Sequence, residues 1–563
     1  MLLLVLLCAV AASAQDAPRV NITQGVIVGA RVIDGDYLSF YGIHYGAPPT
    51  GENRFKAPKE APPYPGDFHA VNSDVICAQP SSRGLIGEEN CLVVNIHTKN
   101  LTTPKPVLVW LEGEEYETTS KTLYSYKELI LEGLVVVTMN YRLSIFGFLC
   151  LGVPEAPGNA GLKDVVLGLK WIQANIAAFG GDPNKVTLLG HGSGGAMVDL
   201  MTMSPLAKGL FHNVMVLSGS ALAPWAIAYD PIGYATKLGA KLEYTRKNPS
   251  ELAKLLSTTD INVLSSVLSD SVFYNNTPLF APCIENAKLN PNETFLSEAP
   301  IKLLRSGNYI DVPYVAGFTD REGTIRAKEA ALENWLPTMN VKFENFLTVD
   351  LAFKTDKDKL NASKVIREFY FRQRPINMET IEDFLDYMGD ILILVPVTRG
   401  VVERALTSNS SVRLFEFAFR GTQDSDWPYP QIPLNGVKHG GILNYLFNFD
   451  LKENASNARS SIIKRVVHFV QTGNLQPPKT VELGILLDSY MNLSFLHIGG
   501  GEINSQLIYV KEEVHMNTYK DRTDFWKKIY NEYYQPPKPL SSSSNSLSFG
   551  IILMIMPFLV NIF

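Results

Sequence analysis

The stretch Lys185-Val186-Thr187-Leu188-Leu189-Gly190-His191-Gly192-Ser193-Gly194-Gly195-Ala196 decides the fold. Lys185 to Leu189 reads as a short buried strand. Gly190 to Gly194 is too glycine-rich to continue it and reads as a sharp turn. Apolar residues resume from Ala196 to Met203, which reads as a helix. Outward from this strand–turn–helix, Val107 to Leu111, Leu134 to Tyr141, Val214 to Leu217 and Val312 to Val315 are further short apolar runs suited to buried strands. Leu162 to Ala178 carries Val165, Val166, Leu169, Ile172 and Ile176 at helical spacing. Alternating strands and helices imply an α/β fold, a mainly parallel sheet with helices on both faces. Ligands in such sheets sit beyond the carboxyl ends of the strands, which is where the turn at 190–195 falls.

The 563 residues are 46% hydrophobic and 19% charged, an ordinary globular balance with ample material for a large core. A net charge of −6 gives no reason to expect a nucleic-acid partner. Leu2 to Ala12 is a short apolar run followed by the small-x-small signal Ala12-Ser13-Ala14, so residues 1–14 are expected to be a secretory signal peptide. Phe549 to Phe563 is apolar apart from Asn561, shorter than a comfortable membrane span, and follows the small polar run Ser541 to Asn545. This pattern predicts a glycosylphosphatidylinositol (GPI) attachment region over 535–545, whose proline-rich start reads as a stiff stalk, and a discarded tail over 546–563. The remaining 15–534 is expected to form the folded domain. Export agrees with the sequons at Asn21, Asn100, Asn275, Asn292, Asn361, Asn409, Asn454 and Asn492. Cys8 leaves with the signal peptide, and the four remaining cysteines permit disulfides without giving their pairing. The expected location is the outer face of the plasma membrane, held by a lipid anchor.

Several ordered segments resemble the carboxylesterase type-B and cholinesterase-like family. They are Phe40-Tyr41-Gly42-Ile43-His44-Tyr45-Gly46 leading to Arg54-Phe55, then Glu89-Asn90-Cys91-Leu92, then Asn140-Tyr141-Arg142-Leu143, then Gly158-Asn159-Ala160-Gly161-Leu162, and finally Phe179-Gly180-Gly181-Asp182-Pro183. The resemblance runs from about residue 20 to 530 and implies the α/β-hydrolase fold. It also implies a Cys77–Cys91 disulfide and a buried Glu89–Arg142 ion pair. Cys150 and Cys283 find no family partner and are expected as buried free thiols.

Ester hydrolysis on this fold needs a nucleophile, a base, an acid and an oxyanion hole. Glu322, in Gly317-Phe318-Thr319-Asp320-Arg321-Glu322-Gly323, matches the acid, and His439, in Gly436-Val437-Lys438-His439-Gly440, matches the base. Gly192 stands at the nucleophile position and brings no side chain. Glu114 and Glu115 occupy the two oxyanion-hole glycine positions, and Ser193 occupies the third donor position. His191 reads as a satisfied neighbour of the turn. No zinc or EF-hand spacing is present among the scattered histidines, so no metal or cofactor is expected.

Glycine at the turn together with the two glutamates leads to the expectation of a chain that is not an enzyme. It resembles the cholinesterase-like adhesion molecules (neuroligin, gliotactin, neurotactin and glutactin relatives). The resemblance implies a cell-surface protein that binds another cell-surface or extracellular protein. The alternatives are an active carboxylic-ester hydrolase using Ser193, or a carrier holding a small molecule in the old esterase gorge.

Overall fold

The computed structural model describes residues 17–32, 36–81, 84–119, 124–246, 248–269, 277–419, 427–447, 456–475, 494–503, 507–516 and 518–540. Its centre is an eleven-stranded sheet. In chain order the strands are β1 (Ala30–Val32), β2 (Tyr37–His44), β3 (Val93–Thr98), β4 (Lys105–Leu111), β5 (Val135–Met139), β6 (Gly181–His191), β7 (Asn213–Leu217), β8 (Tyr314–Thr319), β9 (Val412–Phe417), β10 (Ser494–Ile503) and β11 (Leu507–Met516). In space they run β11-β10-β9-β8-β7-β6-β4-β5-β3-β2-β1. The stretch from β10 to β5 is parallel, and the pairings beyond it at either side are antiparallel. This is the expected mainly parallel α/β sheet, in the α/β-hydrolase arrangement.

The middle strands are apolar on both sides because each faces a separate core. Val107, Val109 and Leu111 of β4 enter one core, while Leu108 and Trp110 enter the other. The first is covered by α1 (Ala160–Asn175) and α2 (Ser193–Met201), and the second by α3 (Gly441–Phe447) and α4 (Ser456–Thr472). Fully burying each such aliphatic side chain contributes roughly 1.5–3 kcal/mol, so the sheet is a rigid floor for whatever its loops carry.

Three expectations about the scaffold change. Cys77 and Cys91 are joined as expected, but Cys150 and Cys283 are joined as well, rather than being free thiols. Their Cα atoms lie 6.6 Å apart although 133 residues separate them in sequence, because both loops converge on Gly158. The Glu89–Arg142 pair is exchanged for two others. Arg54 takes Glu89 in a two-pronged contact at 2.7 and 2.9 Å. Arg142 instead meets Asp164 of α1 at 2.5 and 2.8 Å, with Asp164 completely buried. Arg142 also reaches the Arg54 carbonyl at 3.0 Å, so the two pairs adjoin.

The third change concerns the stalk. Its described part, Gln535 to Leu540, lies against the body. Gln535 N–H donates to the Asp350 carbonyl at 2.8 Å, and Leu540 N–H to the Ile284 carbonyl at 3.1 Å. The leucine side chain covers Gly152. The signal peptide and the region from 541 onward lie outside the described residues. Among the described residues no helix is long and apolar enough to cross a membrane. Asn21, Asn292, Asn361 and Asn409 are exposed and Asn100 is half-buried, whereas Asn275, Asn454 and Asn492 lie outside the described residues.

Candidate functional site

Strand β6 ends at His191, α2 begins at Ser193, and Gly192 alone makes the turn between them. Its φ of 56° and ψ of −123° form a conformation that a side chain adopts only under strain. The turn is held by Gly192 N–H donating to the Leu217 carbonyl at 2.9 Å. It is also crowded. A β-carbon on Gly194 would lie 2.2 Å from the Leu111 carbonyl oxygen, so the α2 start packs directly on the end of β4.

The acid and base come together as expected. His439 Nδ1 lies 2.5 Å from Glu322 Oε2. The other Glu322 oxygen accepts from Ser218 Oγ at 2.6 Å and from Thr319 N–H at 2.7 Å, which fixes a carboxylate only 4% exposed. The histidine loop is strapped to the acid loop. Val437 N–H donates to Asp320 at 2.6 Å, Arg321 N–H to the Val437 carbonyl at 3.1 Å, and His439 N–H to Thr324 Oγ1 at 2.8 Å. Ser218 and Thr324 belong to no motif the sequence displays; they act through position alone. The far nitrogen, His439 Nε2, stands 3.8 Å from where a β-carbon on Gly192 would lie. Position 192, where the resemblance puts the nucleophile, therefore faces His439 in space.

Ser193 serves otherwise. It is 2% exposed, and its Oγ accepts the Tyr116 N–H at 3.1 Å. The hydroxyl thus braces the loop beneath it. That loop is bent by left-handed residues at Glu115 (φ 52°) and Tyr116 (φ 63°). Glu114 N–H donates to the Thr118 carbonyl at 2.8 Å, so one of the two expected oxyanion donors is already committed inside the loop. The Glu115 carboxylate pairs with Arg326 at 2.6 Å. Burial, with the neighbouring Glu115 charge, pushes the Glu117 carboxyl up to about 7.

His191 departs from its expected quiet role. Its ring lies 4.6 Å from that of His439, and its Nε2 is buried without a hydrogen-bond partner. Burial, reinforced by His439, holds it well below the usual imidazole range, so it is a neutral ring at the floor of the site. Above these groups opens a pocket of about 630 Å³. Trp225, Ile325 and Leu443 give it apolar walls, and Glu114, Glu117 and Lys328 give it charge. That volume accommodates a drug-sized molecule.

Comparison with known proteins bears directly on this geometry. The carboxylesterase family profile matches residues 16–543. The chain is similar to venom carboxylesterase-6 of Apis mellifera, 30% identical over 68% of this chain and 71% of that protein. It is similar to esterase FE4 of Myzus persicae, 31% identical over 74% of this chain and 76% of that protein. The crystal structure of juvenile hormone esterase from Manduca sexta superimposes with a TM-score of 0.79 at 24% identity, covering 92% of this chain and all of that one. These relatives overturn the expectation of a chain that is not an enzyme: they are named as ester hydrolases, and they support the hydrolase alternative better than adhesion. In physical terms, Gly192 removes a hydroxyl and the committed Glu114 N–H a donor, while the His439–Glu322 pair, the turn and the pocket stand in place.

Proposed function

Because the chain belongs to the carboxylesterase family, we propose that it binds carboxylic esters in the pocket above β6 and hydrolyses them through a water molecule in place of a serine hydroxyl. One observation carries this reading: His439 Nε2 is aimed at the space that Gly192 leaves open, 3.8 Å from the missing β-carbon. A water there attacks the ester carbonyl carbon and gives its proton to His439 Nε2, with Glu322 orienting the ring. Collapse of the tetrahedral adduct expels the alkoxide, which takes that proton back. Water ends as the acid's hydroxyl, and no covalent enzyme intermediate forms.

The rate is modest. Ser193 N–H, at the positive end of α2, offers itself to the developing oxyanion. Glu114 N–H is committed to Thr118, and each missing donor costs about 3 kcal/mol. Purified protein assayed on aryl and thioaryl esters is expected to turn over slowly and to lose that activity in His439→Gln. Equal rates for the two proteins sink the proposal.

We propose further that the chain works outside the cell, attached to the outer leaflet through a glycolipid within Ser541 to Asn545. The apolar start, the exposed sequons and the two disulfides support export.

A further inference from the structure

Toward one edge of the sheet, three strands bring Glu416 together with His497, Glu513 and His515, which the sequence keeps about eighty to a hundred positions from it. Glu416 of β9 is in register with His497 of β10, and His497 with Glu513 of β11. His515 lies two residues along β11 from Glu513. Since side chains two apart on a strand share a face, all four project from the same side of the sheet. His497 Nδ1 is 2.5 Å from Glu416 Oε2, and His515 Nε2 is 3.4 Å from Glu513 Oε2. The two imidazoles stack with centroids 4.1 Å apart. One donor atom each from Glu416, His497 and His515 lie within 4.8 Å of one another.

We propose that Glu416, His497 and His515 form a binding site for a divalent cation of the zinc class. Two imidazole nitrogens and one carboxylate oxygen are the donor set such an ion takes, at about 2.0–2.2 Å from each atom. Atoms sharing one tetrahedral ion stand roughly 3.3–3.6 Å apart. The cluster must therefore contract by about 1 Å, through rotation of the two partly exposed rings. Glu416 is the anchor, a carboxylate 2% exposed, and its second oxygen accepts from the Tyr519 hydroxyl. That bond fixes a ligating carboxylate from behind, as outer contacts of metal sites do. The histidine side chains are 21% and 28% exposed, so an ion enters from solvent and keeps room for water as its fourth ligand.

The ion has mechanical work to do. Among the described residues β9 and β10 share three paired positions, Phe415 to Phe417 with Leu496 to Ile498, whereas β10 and β11 form a long hairpin. A cation spanning β9, β10 and β11 clamps the hairpin to the sheet. This inference is independent of ester hydrolysis, since none of its residues lines the pocket.

The test uses the full secreted chain, stripped with a chelator and dialysed. Zinc chloride titration by calorimetry, with metal content after gel filtration, is expected to give about one ion per chain. His515→Ala and Glu416→Gln are expected to weaken binding at least about tenfold, while His439→Ala retains it. Zinc should raise the melting temperature of the unmodified protein and leave that of His515→Ala unmoved, a comparison that holds even where a variant is less stable. No zinc uptake by the unmodified protein, or equal uptake and equal melting shift in His515→Ala, overturns the proposal and leaves the cluster a hydrogen-bonded one.

Discussion

His439 Nε2 faces Gly192 across a gap of 3.8 Å to the unbuilt β-carbon, with the Gly113 carbonyl oxygen 3.7 Å from the same point. Those separations are ordinary van der Waals contacts, so a β-carbon fits there without displacing anything.

Gly192→Ser is therefore expected to restore a nucleophile beside its base. The variant should be labelled covalently by a fluorophosphonate probe, and the unmodified protein should not. The positive φ of 56° makes the added side chain strained, at about 1–3 kcal/mol of stability. Turnover should rise but stay limited by the committed Glu114 N–H. Absence of labelling in a folded variant means that the hydroxyl does not meet His439.

The Cys150–Cys283 bridge closes a long loop, since 133 residues separate its ends. Loss of such a bridge typically costs 2–5 kcal/mol. Cys150→Ser with Cys283→Ser is expected to lower the unfolding free energy by about that amount, and non-reducing peptide mapping should find the two half-peptides linked. Alkylation of both cysteines without reductant contradicts the pairing.

Acid should weaken the protein through His97. It is 4% exposed, its Nδ1 lies 2.9 Å from Ser39 Oγ, and burial pushes it down to about 4. Unfolded, the same ring titrates near about 6.5. Between those values the unfolded chain binds the extra proton, so stability rises with pH through the window and is lost as pH falls from about 6.5 toward 4. The full effect is about 3 kcal/mol. Melting temperatures from pH 7 down to 4.5 should fall less steeply for His97→Phe; parallel curves refute the assignment.

Phosphatidylinositol-specific phospholipase C should release the protein from intact cells, and bulky residues at Ser541 to Asn545 should trap it inside. Resistance to the lipase, with the tail peptide found in the surface protein, rules the glycolipid out.

Much of the site is legible in the sequence because its geometry is local. The glycine cluster from 190 to 195 marks the turn, which Gly192 makes with β6 and α2 on either side of it. β6 is longer than expected, Gly181–His191 rather than Lys185 to Leu189, and α2 starts earlier, at Ser193. Strand β8 begins at Tyr314 rather than Val312 because Pro313 has no N–H to give the ladder. Illegible features are those decided by tertiary approach. Arg142 chose Asp164 over Glu89 because α1 delivers a fully buried carboxylate beside it, and Arg54 was there to take the glutamate. The Glu114 N–H is lost to a backbone carbonyl four residues on, which no side-chain motif can announce. The Glu416, His497 and His515 cluster exists only once three strands are in register.

The seat of Leu540 on Gly152 and Ile284 has a consequence for how the molecule would stand on a cell. Leu540, the last described residue, is held at a fixed point beside the Cys150–Cys283 bridge. Only residues 541 to 545 remain before or within the proposed lipid attachment. Fully extended they reach about 17 Å. If the lipid attaches there, so short a peptide leash would hold the Gly152 face toward the lipid headgroups.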